Sequence, residues 1–209
     1  MNSAVLALAT SGGTVYAGGL FNAVGGQPRN YMCRDRRVDR SADRLESHAE
    51  RLLRSPAVAV ANGVVYAGGT FTYIGGQSRY HLAALDPVTG ASTSWSPTVI
   101  GWSVYALAPR GSRIYAGGDF APSISGQPRA NAAALDTATG VPSAWNPSAN
   151  GYLKALSCAA RRWYAGGSFT QIGEAVARQR RGTRREHRTS RRVEPEPERH
   201  RHGARGQRA

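Results

Sequence analysis

Short apolar segments alternate with glycine-containing polar turns along the chain, and the alternation has a long, regular period. Residues 104–108 (VYALA) are apolar, a short polar turn follows them, and a second apolar segment ends in Gly-Gly-x-Phe. The Tyr-Ala-Gly-Gly motif begins at Tyr16, Tyr66, Tyr115 and Tyr164, at steps of 50, 49 and 49 residues. A period of this length predicts equivalent small β-units that stack against one another.

The two middle copies, about residues 56–102 and 103–151, contain the complete unit. Each begins with two apolar strands, and a Gly-Gln-x-Arg loop follows the second. A third strand ends in Leu-Asp, and a Thr-Gly turn leads to a fourth strand that ends at Trp95 or Trp145. Four short strands with glycine turns are typical of one β-propeller blade. We therefore predict an all-β partial β-propeller of four-stranded antiparallel blades, each about 49–50 residues long.

The outer copies are incomplete, so the prediction is two intact and two half blades. The half blades are residues 1–30 and 152–177, and each runs into an Arg-rich segment, residues 31–55 and 178–209. Because those segments combine dense charge with few aliphatic residues, we expect them to be disordered. An incomplete set of blades also implies that the remaining blades belong to a longer parent chain.

Residues that recur at equivalent positions are predicted to build the blades. The paired glycines allow positive φ or close backbone packing where strands crowd together. Phenylalanine and tryptophan supply apolar area between blades, and the aspartates begin tight turns in which their carboxylates accept backbone N–H groups. These structural residues are Tyr16, Phe21, Tyr66, Gly68, Gly69, Phe71, Asp86, Trp95, Tyr115, Gly117, Gly118, Phe120, Asp136, Trp145, Tyr164 and Phe169.

The repeat resembles that of kelch-type β-propellers, in which an apolar strand enters a Gly-Gly pair before an Asp-led turn and a tryptophan. It is more similar still to repeats of large secreted bacterial proteins and fungal cortical polarity-marker proteins, with Y-x-G-G-x-F, G-x-x-R, L-A-A-L-D, T-G and W-x-P in order. The resemblance covers roughly residues 4–30 and 56–177. The step from Asp86 to Trp95 is longer than in the usual kelch repeat.

The interrupted repeat has a genetic explanation. With suitable codons, residues 32–42 (MCRDRRVDRSA) can be re-read one nucleotide forward as CAAIDASTGRR, and the tail can likewise recover an Asp-x-x-Thr-Gly turn. In both segments a tryptophan then falls nine residues after the aspartate, which is the spacing from Asp86 to Trp95. We therefore expect both Arg-rich segments to be translated out of frame. Sequencing the DNA near codons 31, 55 and 178 tests this hypothesis, and an intact frame would refute it.

The formal charge of +14 suggests nucleic acid binding, but its distribution argues against a specific site. The tail alone carries a net charge of +8. Its Glu-Pro-Glu-Pro-Glu run and its lack of interleaved aromatic residues disfavour binding to nucleic acid. No apolar run reaches the length of about eighteen residues that a membrane-spanning helix needs.

One loop position offers candidate binding residues, namely Gln77 and Arg79 in one copy and Gln127 and Arg129 in the next. These side chains could line an anionic or sugar-binding surface. Alternatively, each arginine forms a salt bridge or a backbone hydrogen bond that fixes neighbouring blades, and we favour this role. The paired glycines lack the Lys-Ser or Lys-Thr of a phosphate-binding loop, and the turn aspartates lack a calcium-loop pattern. No metal, cofactor or catalytic residue is therefore predicted.

These features favour a non-catalytic module that binds a protein or a glycan, or acts as a scaffold, in an exported or cell-surface protein. An enzyme, such as a hydrolase, lyase or oxidase, would need titratable groups placed in one or two blades only, and those could lie in missing blades. A third possibility is a frameshifted translation product without a function of its own.

Overall fold

The computed structural model describes residues 1–28, 30–36, 56–159, 162–173, 175–176 and 189–193. These residues form strands and turns, and no helix occurs among them. The all-β prediction is therefore confirmed. The strands pair antiparallel in four main sheets, with small two-stranded hairpins beside them. We call the four successive sheets, with their hairpins, units 1 to 4.

The strands of each unit follow one another in chain order. Unit 1 contains β1 (Val5–Ser11), β2 (Thr14–Gly19), β3 (Ala23–Val24), β4 (Gln27–Pro28) and β5 (Met32–Arg36). Unit 2 contains β6 (Ala57–Ala61), β7 (Val64–Gly68), β8 (Tyr73–Ile74), β9 (Gln77–Ser78) and β10 (Leu82–Leu85). Unit 3 contains β11 (Val99–Arg110), β12 (Arg113–Ile124), β13 (Gln127–Pro128) and β14 (Ala132–Asp136). Unit 4 contains β15 (Leu153–Ala159), β16 (Arg162–Gly167), β17 (Gln171–Ile172), β18 (Ala175–Val176) and β19 (Thr189–Val193).

The repeated motifs occupy equivalent places in the sheets. Tyr66 lies in the middle strand of unit 2, between Ala59 and Ala84 of the flanking strands. In unit 3, Tyr115 has the same neighbours, an alanine in β11 and an alanine in β14. Both tyrosines are buried, with 1% and 3% of their surface exposed. The period in the sequence therefore corresponds to a period in the structure.

The fourth strand of each predicted blade is reduced to a single bridge. In unit 2 the bridge joins Leu85 to Ser92, and in unit 3 it joins Leu135 to Pro142. The chain leaves the sheet after this bridge in unit 2, and the indole of Trp95 then reaches across to unit 3. The predicted four-stranded blade is therefore wrong in this detail, and the main sheet of unit 2 has three strands.

Two further corrections concern the Arg-rich segments and a boundary. Met32–Arg36 forms β5 against β2, and Thr189–Val193 forms β19 against β16. The prediction of disorder is wrong for these residues, because a ladder uses backbone groups that every residue carries. Residues 37–55, and residues 178–209 apart from β19, lie outside the described residues. The predicted boundary between residues 102 and 103 falls inside β11, so unit 3 begins earlier.

The glycine pairs of the Tyr-Ala-Gly-Gly motifs serve close packing, since none of these glycines has a positive φ. A Cβ on Gly68, the first glycine of its pair, would lie 2.8 Å from a methyl carbon of Val104 in unit 3. A Cβ on Gly118, the second glycine of its pair, would lie 2.2 Å from the carbonyl oxygen of Ser103 in the paired strand. The first glycine therefore admits the next unit, and the second admits its own neighbouring strand.

The apolar cores lie between successive units. The face of unit 2 that carries Tyr66 and Trp95 packs against the face of unit 3 that carries Ile114 and Phe120. Equivalent cores join units 1 and 2 and units 3 and 4. Contacts between successive units run through their first strands, β1 with β6, β6 with β11 and β11 with β15. The first strands therefore lie side by side.

Polar contacts tie unit 2 to the Asp-led turn of unit 3. The indole N–H of Trp95 donates to the carbonyl oxygen of Asp136 at 2.9 Å, and the hydroxyl of Tyr66 donates to that of Thr137 at 3.4 Å. The Asp136 carboxylate accepts the N–H groups of Ala138 and Thr139 at 3.0 and 2.9 Å. These bonds, led by that from Thr139, lower the pKa of Asp136.

Candidate functional site

The first strands contain an irregular position that turns one side chain out of the regular ladder. Register shifts leave Leu6 of β1, Tyr105 of β11 and Lys154 of β15 between paired neighbours, as β-bulges. In unit 2 the corresponding place is held by Pro56, immediately before β6. Bulges re-aim side chains and are frequent beside functional sites. Because the first strands lie side by side, the four bulge positions come together.

These side chains line one cavity of about 610 Å³, formed by Leu6, Pro56, Tyr105, Tyr152 and Lys154. Each of the four units contributes the side chain at this position, which is Pro56 in unit 2, and Tyr152 at the start of unit 4 completes the lining. A volume of this size lies within the range of small-ligand sites, about 300–1,000 Å³. We call this the bulge cavity.

Two aromatic rings and one cation give the bulge cavity its chemistry. The rings of Tyr105 and Tyr152 meet edge to face, with their centroids 6.2 Å apart. The Lys154 ammonium lies 5.5 Å from the centroid of the Tyr152 ring, within the range of a cation–π contact. Lys154 is also the single lysine of the chain. The cavity therefore combines aromatic faces, phenol hydroxyls and one positive charge.

The titration of Tyr105 favours hydrogen bonding over proton transfer. Burial raises the pKa of its phenol, and the negative charge of Asp119 and the neighbouring Tyr152 raise this pKa further. The hydroxyl therefore keeps its proton at neutral pH and can donate a hydrogen bond to a ligand.

The bulge position differs in residue type from unit to unit. Its four residues are leucine, proline, tyrosine and lysine, whereas the landmark residues around it recur from unit to unit. Charge and aromatic character are therefore concentrated in units 3 and 4. Such an unequal set of side chains at one repeat position is what a specific ligand site on repeated units needs.

The predicted binding arginines hold their own units together. In unit 2 the Arg79 guanidinium donates to the carbonyl oxygen of Thr93 at 2.8 Å, to that of Ser78 at 2.9 Å and to the side-chain oxygen of Gln77 at 2.5 Å. The bond to Thr93 ties the β8–β9 hairpin to the segment that precedes Trp95. This geometry is the backbone hydrogen bond that we favoured, although it acts within one unit.

Unit 3 repeats this arrangement. The Arg129 guanidinium donates to the carbonyl oxygen of Pro128 at 2.6 Å and to that of Ser143. Gln127 is exposed in the adjacent short strand. None of the four predicted residues lines the bulge cavity, and a role for them in binding stays a prediction.

Sequence analysis missed the residues of the bulge cavity. Two signals were present in the sequence. Each first strand has a leucine or valine at one recurring position, and the residue two positions before it differs in every copy. In the last copy that residue is Lys154, the single lysine of the chain. That these positions meet depends on how the units pack, which the sequence does not display.

Other candidate groups have structural places. His81 has a φ of +66°, and the equivalent Tyr31 and Asn131 have +64° and +62°, so this histidine belongs to a turn of the repeat. Among the described residues, no cluster of three or more histidines, cysteines, aspartates or glutamates could hold a metal ion. No helix in the described part of the chain is long and apolar enough to cross a membrane.

Comparison with known proteins identifies a likeness of fold. No protein-family model and no curated protein sequence matches the chain. The crystal structure of the computationally designed Ika4 protein matches with a TM-score of 0.52 and 15% identity, over 80% of this chain and 88% of the designed one. The computationally designed Ika8 protein matches with the same score and identity, over 82% of this chain and 45% of the other. The chain therefore spans less than half the length of the second protein, and both likenesses concern the fold alone.

Proposed function

We propose that this chain is a non-catalytic binding module of β-propeller type, with kelch-like blades, in an exported or cell-surface protein. Its ligand is a protein segment or a glycan that enters the bulge cavity. The observation that carries this proposal is the convergence of one variable side chain from every unit on a single cavity.

The packing of the units supports a propeller arrangement. Successive units meet face to face, and their first strands are neighbours. In a propeller, the first strands of the blades surround a central channel, and loops and channel side chains provide the binding surface. The bulge cavity occupies the place that such a channel would have.

The chemistry of the cavity suits a sugar or a peptide side chain. The ring faces of Tyr105 and Tyr152 offer apolar area to a sugar ring, and their hydroxyls offer hydrogen bonds. Lys154 adds a charged donor, which favours ligands with carboxylate or other acceptor groups. The protonated phenol and the single ammonium provide no paired acid and base, so binding is a better match than catalysis.

A glycan array with the full chain tests this function. The wild-type chain should retain at least one glycan, and Tyr105→Ala and Lys154→Gln should each weaken its binding by about tenfold or more. Tyr80→Ala is the matched control, because Tyr80 is 50% exposed and lies outside the cavity. Ligand protection of Lys154 from an amine-reactive label gives a second, direct measurement of occupancy.

The array also separates the cavity from the predicted loop surface. Gln127→Ala leaves the backbone contacts of Arg129 in place, so a loss of binding in this variant would assign the ligand to the loops. No retained glycan, together with no protection of Lys154 by any arrayed glycan or short peptide, would count against the proposal. Equal losses in Tyr80→Ala and Tyr105→Ala would also contradict it.

A further inference from the structure

Strand β1 exposes apolar side chains whose counterparts in later units are buried or, for Leu107 of unit 3, half-buried. Val5 is 38% exposed, whereas the equivalent Val104 in unit 3 is 0% exposed. Leu8 is 65% exposed, whereas Val58 in unit 2 and Leu156 in unit 4 are 9% and 8% exposed. Unit 1 therefore presents an uncovered apolar surface along its first strand, which we call the β1 face.

The interior of the chain shows what covers such a surface. A Cβ on Gly68 of unit 2 would lie 2.8 Å from Val104, and one on Gly117 of unit 3 would lie 3.1 Å from Leu153. The first glycine of each pair thus admits the apolar first strand of the following unit. The tyrosine two residues before that glycine belongs to the same core, as Tyr66 and Tyr115 do.

Unit 4 carries the matching surface at the other end of the described chain. Tyr164 is 46% exposed, whereas the equivalent Tyr16, Tyr66 and Tyr115 are 6%, 1% and 3% exposed. The side of unit 4 that carries Tyr164 is the side that, in units 1 to 3, packs against the next unit. We call it the Tyr164 face.

We propose that a second copy of this chain covers these surfaces, with the β1 face of one copy packed against the Tyr164 face of the other. The interface reproduces the contact that joins successive units three times within the chain. Because the two faces differ, the association is head to tail, and it closes into a ring or extends as an open stack. Closure by two copies, which together hold eight units, rests on the proposed propeller type. The pairing of the faces needs no ligand in the bulge cavity.

Sedimentation equilibrium of the full chain over a range of concentrations tests the association. The wild-type chain should form dimers, or species that grow with concentration if the stack stays open. Leu8→Arg and Tyr164→Arg should each raise the dissociation constant by about tenfold or more. Val88→Arg is the matched control, since Val88 is 55% exposed in a turn outside both faces. All three positions are exposed in the single chain, and circular dichroism checks that each variant keeps its β-structure.

A mixing experiment identifies the direction of the contact. Leu8→Arg retains an intact Tyr164 face, and Tyr164→Arg retains an intact β1 face. Mixed in equal amounts, the two variants should form a one-to-one complex at concentrations where each variant alone is mostly monomeric. A wild-type chain that stays monomeric at all concentrations would overturn the proposal. So would a mixture that stays monomeric, because an intact β1 face and an intact Tyr164 face would then be present without pairing. Neither outcome depends on whether the chain binds a glycan.

Discussion

The second glycine of each Gly-Gly pair lies against the backbone of the neighbouring strand, and unit 3 offers a sharp test of its role. A Cβ on Gly118 would lie 2.2 Å from the carbonyl oxygen of Ser103 and 2.9 Å from a ring carbon of Phe120. A Cβ on the adjacent Gly117 would have the Cβ of Leu153 as its nearest neighbour, at 3.1 Å. Gly118→Ala and Gly117→Ala therefore make the same chemical change one residue apart, in different surroundings.

The expected magnitudes follow from what has to move. Ordinary contact with a Cβ begins near 3.4 Å, so the Ser103 carbonyl or the new methyl group of Gly118→Ala must shift by more than 1 Å within a paired strand. Overpacking of this kind costs about 1–3 kcal/mol or more, while loss of the glycine's freedom in the unfolded chain returns about 0.4–1 kcal/mol. Gly118→Ala should therefore lose about 2 kcal/mol of stability. For Gly117→Ala a shift of a few tenths of an ångström at Leu153 suffices, so the change should stay within about 1 kcal/mol.

Equilibrium urea unfolding measures this difference. Fluorescence of the buried Trp95 and Trp145 reports unfolding, and an unchanged m-value shows that the same surface unfolds in each variant. Gly118→Ala as stable as wild type would refute the argument that the second glycine admits the paired backbone. Equal destabilisation by Gly117→Ala and Gly118→Ala would refute the distinction between the two glycines.

Two further predictions concern the Asp-led turns. In urea titrations followed by circular dichroism, Trp95→Phe should lower the free energy of unfolding by about 1 kcal/mol for the lost hydrogen bond to the Asp136 carbonyl, and by a further amount for the lost apolar area. The control Trp102→Phe changes a side chain that is 76% exposed and should be close to neutral. Equal effects of the two substitutions would contradict this prediction. Asp136 has a folded-state pKa below its ordinary 3.8, so the stability it contributes is complete above that pH and lost as the pH falls through the folded value. Asp136→Asn should therefore flatten the acid limb of the stability–pH curve, and a superimposable acid limb would exclude this role.

The repeat could be predicted because its landmark residues act locally. The four phenylalanines after the Gly-Gly pairs are all buried, with 0%, 0%, 1% and 3% of their surface exposed, as members of one periodic core should be. The Asp-led turns follow from short-range hydrogen bonds to the Thr89 and Thr139 backbone, which neighbouring residues alone can satisfy. Such local requirements recur with the sequence, so a motif is enough to find them.

The bulge cavity and the fourth segment could not be predicted in the same way. Tyr105 and Lys154 are one full repeat apart in the sequence, and they meet only because successive first strands pack side by side. The departure of the chain after Ser92 depends on where Trp95 finds its acceptor, in the next unit. Both features arise between units, and a motif search within one unit cannot display them.

The register of β5 shows which residues of unit 2 correspond to the charged residues of this strand. Met32 pairs with Gly18 as Leu82 pairs with Gly68, so Arg34 and Asp35 stand where unit 2 has an alanine and a leucine.

Arg34 is only 4% exposed, with its guanidinium donating to the Pro87 carbonyl at 2.6 Å, and Asp35 is exposed where Leu85 is 0% exposed. Unit 1 therefore carries a buried, hydrogen-bonded arginine and an exposed aspartate where unit 2 has two buried apolar residues. The re-reading proposed for this segment would place alanine and isoleucine at these two positions, where unit 2 has alanine and leucine. That re-reading was selected for its likeness to the other copies, so the out-of-frame origin stays a prediction. The DNA around codon 31 decides it, because an intact frame would make Arg34 and Asp35 native features of this strand.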